Sequence, residues 1–124
     1  MTELFASPAP MPRWKTWTLW GAQALLALAF FAAGGQKLLA VPAMVDLFAS
    51  IGFGQWFRVL TGWVEVSAAV LVLVPRTAWI GAALIVCTMI GAVLTHLVLI
   101  GGSAVPALVL LLLAGFVLWG RTPR

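Results

Sequence analysis

The chain has 124 residues, of which 64% are hydrophobic and only 8% charged, with a net charge of +4. A soluble domain carries about 25% charged residues, so this composition excludes a water-covered globule, and its apolar content equally excludes a disordered chain. The length excludes two ordinary soluble domains, which leaves an integral membrane protein.

Residues 1–16 read as an irregular cytoplasmic tail, with Pro8, Pro10 and Pro12 followed by Arg13 and Lys15. Trp14, Trp17 and Trp20 add the aromatic edge of a membrane interface. A first span is expected over roughly 17–38, enough to cross about 30 Å of hydrocarbon at 1.5 Å per residue. It is too long for a signal-peptide core and reads as a retained span.

Pro42 opens a short apolar stretch, Ala43 to Ile51, expected to lie as an interfacial helix across the mouth of the bundle. Gly52, Phe53 and Gly54 turn the chain into a second span, roughly 55–74. Pro75, Arg76 and Thr77 form a tight link, with Thr77 placed to cap a third span over roughly 77–100. Gly101, Gly102 and Ser103 then lead into a fourth span, roughly 104–119, with Pro106 in its first turn, where a missing N–H costs little. Residues 121–124 form a second tail.

Four spans joined by short links predict an all-α, antiparallel four-helix bundle. Arg13, Lys15, Arg76, Arg121 and Arg124 all fall on one side. By the positive-inside bias both termini are expected in the cytoplasm. Small residues belong where helices meet in lipid, and the third span offers a row, Ala83, Cys87, Gly91 and Thr95. Cys87 reads as a packing residue in that row.

The basic residues form no patch interleaved with polar and aromatic groups, so nucleic-acid binding is not supported. A single cysteine excludes an intramolecular disulfide and a thiolate-rich metal site. One histidine with one glutamate is too few ligands for a metal, and no metal site is expected.

Polar groups inside a bilayer are costly, and each is a candidate for function. Here they are Gln36, Lys37, Arg58, Thr61, Glu65, Thr95 and His96. Glu65 lies about 13 Å below Trp56, and His96 about 6 Å from the end of the third span. The ionisable members thus gather between the outer interface and the midplane, with none in the inner half. Arg58, Thr61 and Glu65 follow i, i+3, i+7 spacing and share one helix face.

A central Glu or Arg costs roughly 2.5–3.5 kcal/mol on insertion, against roughly 0.3–0.6 kcal/mol returned by each strongly apolar residue. Two unpaired charges would leave the second span barely inserting. Arg58 can snorkel outward; Glu65 needs a partner or a proton. Lys37 is the first candidate partner, then Arg58, then His96. Histidine is the side chain whose unperturbed titration falls near neutral pH, which makes His96 a candidate proton carrier. A Lys37–Glu65 pair that only fixes helix register is the plainer alternative.

With these residues in view, the chain resembles the DoxX and DoxX-like family of small four-span membrane proteins. The resemblance lies in Phe31 to Leu38 (FAAGGQKL), Gly52-Phe53-Gly54, Thr61 to Val66 (TGWVEV), Val74 to Thr77 (VPRT), Gly91 to His96 (GAVLTH) and Gly101 to Ala107 (GGSAVPA). It covers nearly the whole chain beyond the tail, and Lys37 and Glu65 match recurring Lys and Glu positions of the family. The resemblance implies a bundle in a bacterial cytoplasmic membrane and a link to quinol oxidation and thiosulfate:quinone oxidoreduction. The chain lacks haem ligand pairs, paired cysteines and a nucleotide-binding loop. A redox role is therefore expected to be that of a quinone-handling accessory subunit beside a membrane redox partner.

On this reading a quinone, or another amphipathic small molecule, takes hydrogen bonds from Lys37, Glu65 or His96, with Trp63 and Phe53 packed near its ring. The alternative is a non-enzymatic scaffold that holds another membrane protein, or a second copy of itself, through small-residue faces. A transporter is disfavoured by the lack of polar groups in the inner half.

Overall fold

Long runs of Leu, Ala, Val and Phe without internal proline favour uninterrupted helix, and helices are what the chain forms. The computed structural model describes residues 10–123; residues 1–9 of the expected tail and Arg124 lie outside the described residues. The helices are α1 (Arg13–Leu38), α2 (Pro42–Ile51), α3 (Gln55–Leu73), α4 (Ala78–Thr95) and α5 (Val105–Arg121). A wider π-helical turn, His96–Ile100, extends α4.

The local signals explain most boundaries. Helix α1 begins earlier than expected because the Pro12 carbonyl accepts from the Lys15 and Thr16 amides, both at 3.1 Å, so Arg13 to Thr16 are already helical. Pro42 stands at the start of α2, where its fixed φ suits a first turn. Gly52 closes α2 at φ 88°, a left-handed conformation that glycine adopts without strain. Thr77 stands at the N-cap position of α4, where its carbonyl accepts from the Ile80 and Gly81 amides, but its side chain makes no capping hydrogen bond. Its hydroxyl donates instead to the Leu71 carbonyl at 2.8 Å, closing the end of α3.

Three helical segments are long and apolar enough to cross a membrane: Arg13–Leu38, Gln55–Leu73 and Ala78–Ile100. Helix α5 is a shorter apolar helix of 17 residues. Neighbours run antiparallel. Gly34 of α1 lies against Gly62 and Val66 of α3, whereas Gln23, three turns earlier, meets Val72. Gly81 of α4 lies against Ala68 and Val72 of α3, and Gly120 of α5 against Leu19 of α1. Helix α2 packs mainly on α3. One end of the bundle therefore carries α2 and the 101–103 turn. The other carries both ends of the described chain and the link between α3 and α4.

The core runs along the bundle axis through Leu26, Phe30, Ala69, Val72, Ile85 and Val117, all essentially inaccessible. The outer surface is apolar too, with Leu28, Leu97, Val98 and Leu112 each more than 70% exposed. Such a surface suits lipid rather than water. The small-residue row on α4 is displaced from its expected place. Ala78, Gly81, Ala82, Ile85 and Met89 are buried, whereas Cys87 and Gly91 are exposed. The helices touch where backbone meets backbone, and that is at Gly81, not at Gly91.

A Cβ on Gly81 would lie 2.8 Å from both the Ala68 carbonyl and the Val72 amide, whereas one on Gly91 would meet nothing within 4 Å. Gly81→Val should lower the stability of the detergent-solubilised protein by about 1–3 kcal/mol. Gly91→Ala should leave it within about 0.5 kcal/mol. Thermal unfolding of the two variants side by side measures both.

Candidate functional site

At the α2 end the helices diverge around a cavity of about 460 Å³. Phe30 and Ala33 of α1, Phe48 of α2, Phe57 and Val64 of α3, and Met89 of α4 form much of its apolar wall. Six polar side chains enter that wall: Lys37, Thr61, Glu65, Thr88, Thr95 and His96. Five of them are among the sequence candidates. The volume falls within the roughly 300–1,000 Å³ of small-molecule sites, and a few polar groups on apolar walls are their usual lining.

The strongest polar contact is an ion pair. Lys37 Nζ lies 2.8 Å from Glu65 Oε1, with the side chains 12% and 3% exposed. It forms because α1 and α3 approach closely at this level. A Cβ on Gly34 would come within 3 Å of the Gly62 carbonyl, and one on Gly62 would touch Leu38 and Lys37. Two glycines thus let a lysine and a carboxylate from different helices meet inside the bundle.

Arg58 does not reach the cavity, and its role is to brace this crossing. Its guanidinium donates through Nη1 to the Lys37 carbonyl and through Nε to Gln55 Oε1 at 2.7 Å. Gln55 in turn donates from Nε2 to the Val45 carbonyl on α2 at 3.0 Å. The end of α1, the start of α3 and α2 are tied together by one chain of hydrogen bonds. Gln36 is exposed and lies outside the cavity wall. It adjoins Lys37 in sequence, but one residue turns a helix by about 100°, and only Lys37 faces inward. Trp63 and Phe53, expected beside a bound ring, are 59% and 58% exposed and also lie outside the wall. Phe30, Phe48 and Phe57 stand there instead, with Phe53 edge-on against Phe57 at 5.6 Å.

On α4, Thr88 was missed by the sequence reading. It sits seven residues before Thr95, so the i, i+7 spacing that gathers Arg58, Thr61 and Glu65 also marks Thr88. Cys87 and Gly91 line the cavity rather than a helix contact. His96 begins the π-helical turn, and its Nδ1 lies 2.8 Å from the Ala92 carbonyl. A carbonyl only accepts, so Nδ1 carries the hydrogen.

The opposite end holds a second polar contact that the sequence reading did not single out. Gln23, fully buried on α1, donates from Nε2 to the Val72 carbonyl at 2.9 Å. Its Oε1 accepts from Arg121 Nε, also at 2.9 Å. Arg121 lies 5.6 Å from the Trp20 ring centre, and its Nη2 is buried without a hydrogen-bond partner. The expectation that one half of the bundle lacks polar groups is therefore corrected. Gln23 falls on the buried stripe with Leu19, Leu26 and Phe30, the one signal that marks it. Leu26 and Ile85 are essentially inaccessible and belong neither to this contact nor to the cavity wall. Among the described residues no group of three or more His, Cys, Asp or Glu side chains gathers in a way that could hold a metal.

The model of a family described as the DoxX-like family matches residues 21–118, which include every residue lining the cavity. No curated protein matches the chain, and no solved structure does.

Removing one member of a buried ion pair leaves the other charge without compensation, a loss of about 3–5 kcal/mol. Lys37→Met should destabilise the protein by that amount. Lys37→Met combined with Glu65→Leu should recover most of the loss. A double-mutant cycle on the unfolding free energy tests this; additive effects of the two single changes would contradict a direct pair.

Proposed function

The chain belongs to the DoxX-like family, and we propose that it is a four-span protein of a bacterial cytoplasmic membrane that holds a quinone or a similar amphipathic small molecule. On this proposal it serves as an accessory subunit beside a membrane redox partner. The observation that carries the reading is the cavity, whose aromatic and aliphatic walls enclose the Lys37–Glu65 pair with His96 and Thr95 also in the wall. An amphipathic ring compound presents matching chemistry, with an apolar body for the phenylalanines and a polar edge for the ion pair.

The topology follows from the same charges. Helix α5 acts as the fourth span; at 17 residues it rises about 26 Å, near the short limit for crossing hydrocarbon. Arg13, Lys15, Arg76 and Arg121 share the end of the bundle opposite the cavity, which the positive-inside bias assigns to the cytoplasm. The cavity then belongs to the outer half of the bilayer. The chain supplies binding and orientation, and the partner supplies electron transfer.

Protein purified in mild detergent should retain quinone that organic extraction recovers. Glu65→Ala and His96→Ala, if folded, should each lose most of it. Unchanged retention in both variants would end the proposal.

One observation favours a second reading, a scaffold in which the ion pair only sets helix register. The pair sits beside the close approach of α1 and α3 at Gly34 and Gly62. If register is its whole purpose, the exchanged pair Lys37→Glu with Glu65→Lys should fold and recover a partner protein as the parent does. Under the ligand proposal the exchanged protein should fold, yet retain several-fold less quinone.

A further inference from the structure

Sorting the cavity's polar atoms by whether they still have a hydrogen to give produces an uneven count. Thr61 donates its hydroxyl hydrogen to the Phe57 carbonyl at 2.7 Å, Thr88 to Leu84 at 2.8 Å and Thr95 to Gly91 at 2.7 Å. Each is bound to the carbonyl one turn earlier on its own helix. A hydroxyl has one hydrogen, so all three present only oxygen lone pairs to the cavity. His96 is committed in the same way, because Nδ1–H is held by the Ala92 carbonyl. Neutral imidazole then has a bare Nε2, an acceptor. Glu65, paired through Oε1, is an acceptor throughout. Apart from the weak S–H of Cys87, Lys37 is the one lining side chain with hydrogens left to give.

We infer that the cavity selects a neutral ligand bearing hydroxyl groups, so that it binds the hydroquinone or phenol form of a ring compound in preference to the quinone. This rests on the proposal that the cavity holds an amphipathic ring compound. A hydroxyl satisfies both kinds of wall: it donates to Thr88, Thr95 or His96 and accepts from Lys37. A quinone carbonyl suits Lys37 alone. Elsewhere its oxygen would face other acceptors inside an apolar site, where an unmatched polar group is costly. An ammonium ligand would also donate, but Lys37 and Glu65 already cancel one another. The added charge would be left uncompensated among phenylalanines.

The test uses the full-length protein in detergent and two matched pairs of short-tailed probes. One pair is an alkyl hydroquinone and its quinone. The other is an alkylphenol and its methyl ether, which differ by the donated hydrogen and cannot exchange electrons. Equilibrium binding should favour the hydroxyl member of each pair by about tenfold, equivalent to about 1.4 kcal/mol, which is within the range of one hydrogen bond. Thr88→Val combined with Thr95→Val, changes that conserve shape, should shrink the preference several-fold while leaving the ether's affinity in place. His96→Phe should act in the same direction.

Equal affinity within both pairs, or tighter binding of the quinone and the ether, would overturn the selectivity while leaving the cavity proposal standing. Failure of all four probes to bind would overturn both.

Discussion

Everything at the α2 end depends on one contact, the Lys37–Glu65 pair between α1 and α3. Neither charge is tolerable alone in an apolar interior, and together they are neutral. Their meeting needs backbone proximity, which Gly34 and Gly62 allow, and a fixed chain direction at the end of α1, which Arg58 supplies by holding the Lys37 carbonyl. Arg58 is itself oriented by Gln55, and Gln55 by α2. The order of dependence runs from the surface helix inward. Helix α2, short and with half of its residues exposed, thus helps to set the position of an ammonium group it does not touch through any hydrogen bond.

The two ends of the bundle are finished differently. At the end carrying Arg13 and Arg121, Leu19 lies against Gly120, and Gln23 binds α3 through Val72 and α5 through Arg121. One buried amide connects three helices there. At the α2 end the same helices part around a cavity. Leu26 and Ile85, part of neither the amide contact nor the cavity wall, are buried in the packed core. Polar side chains therefore occur at both ends of the bundle.

The helices and the polar positions were legible in the sequence because each rests on a local signal. Apolar runs gave the helices, Pro42 and Gly52 the limits of α2, and rarity of charge the candidates on α1, α3 and α4. Facing was harder. Gln36 and Lys37 are both polar and adjacent, and their separation into outside and inside depends on where α3 touches α1. The α4 row was misplaced because Cys87 and Gly91 look as suited to close packing as Gly81 does; only the position of the α3 backbone distinguishes them. Gln23 escaped notice for the converse reason. An uncharged amide carries little sequence signal, and its importance lies in Val72 and Arg121, 49 and 98 residues away. The π-helical turn at His96 has no periodic signature in so short a segment, yet it begins at a cavity residue, as such turns often do near functional sites.

The helical backbone also decides the chemistry of the site. A threonine in an apolar helix has few partners for its hydroxyl and turns to the carbonyl one turn back. Thr61, Thr88 and Thr95 all do this, and His96 follows the same geometry with its ring. Each local bond satisfies the side chain's donor without help from another helix, so folding need not wait for a partner. The consequence is collective. Side chains chosen for independent comfort in their own helices together turn the wall into a surface of acceptors, with Lys37 as its source of hydrogens. The pair's neutrality removes net charge as a means of attraction. Recognition must then come from shape and from the direction of hydrogen bonds, which is a basis for discriminating two oxidation states of one ring that hardly differ in size.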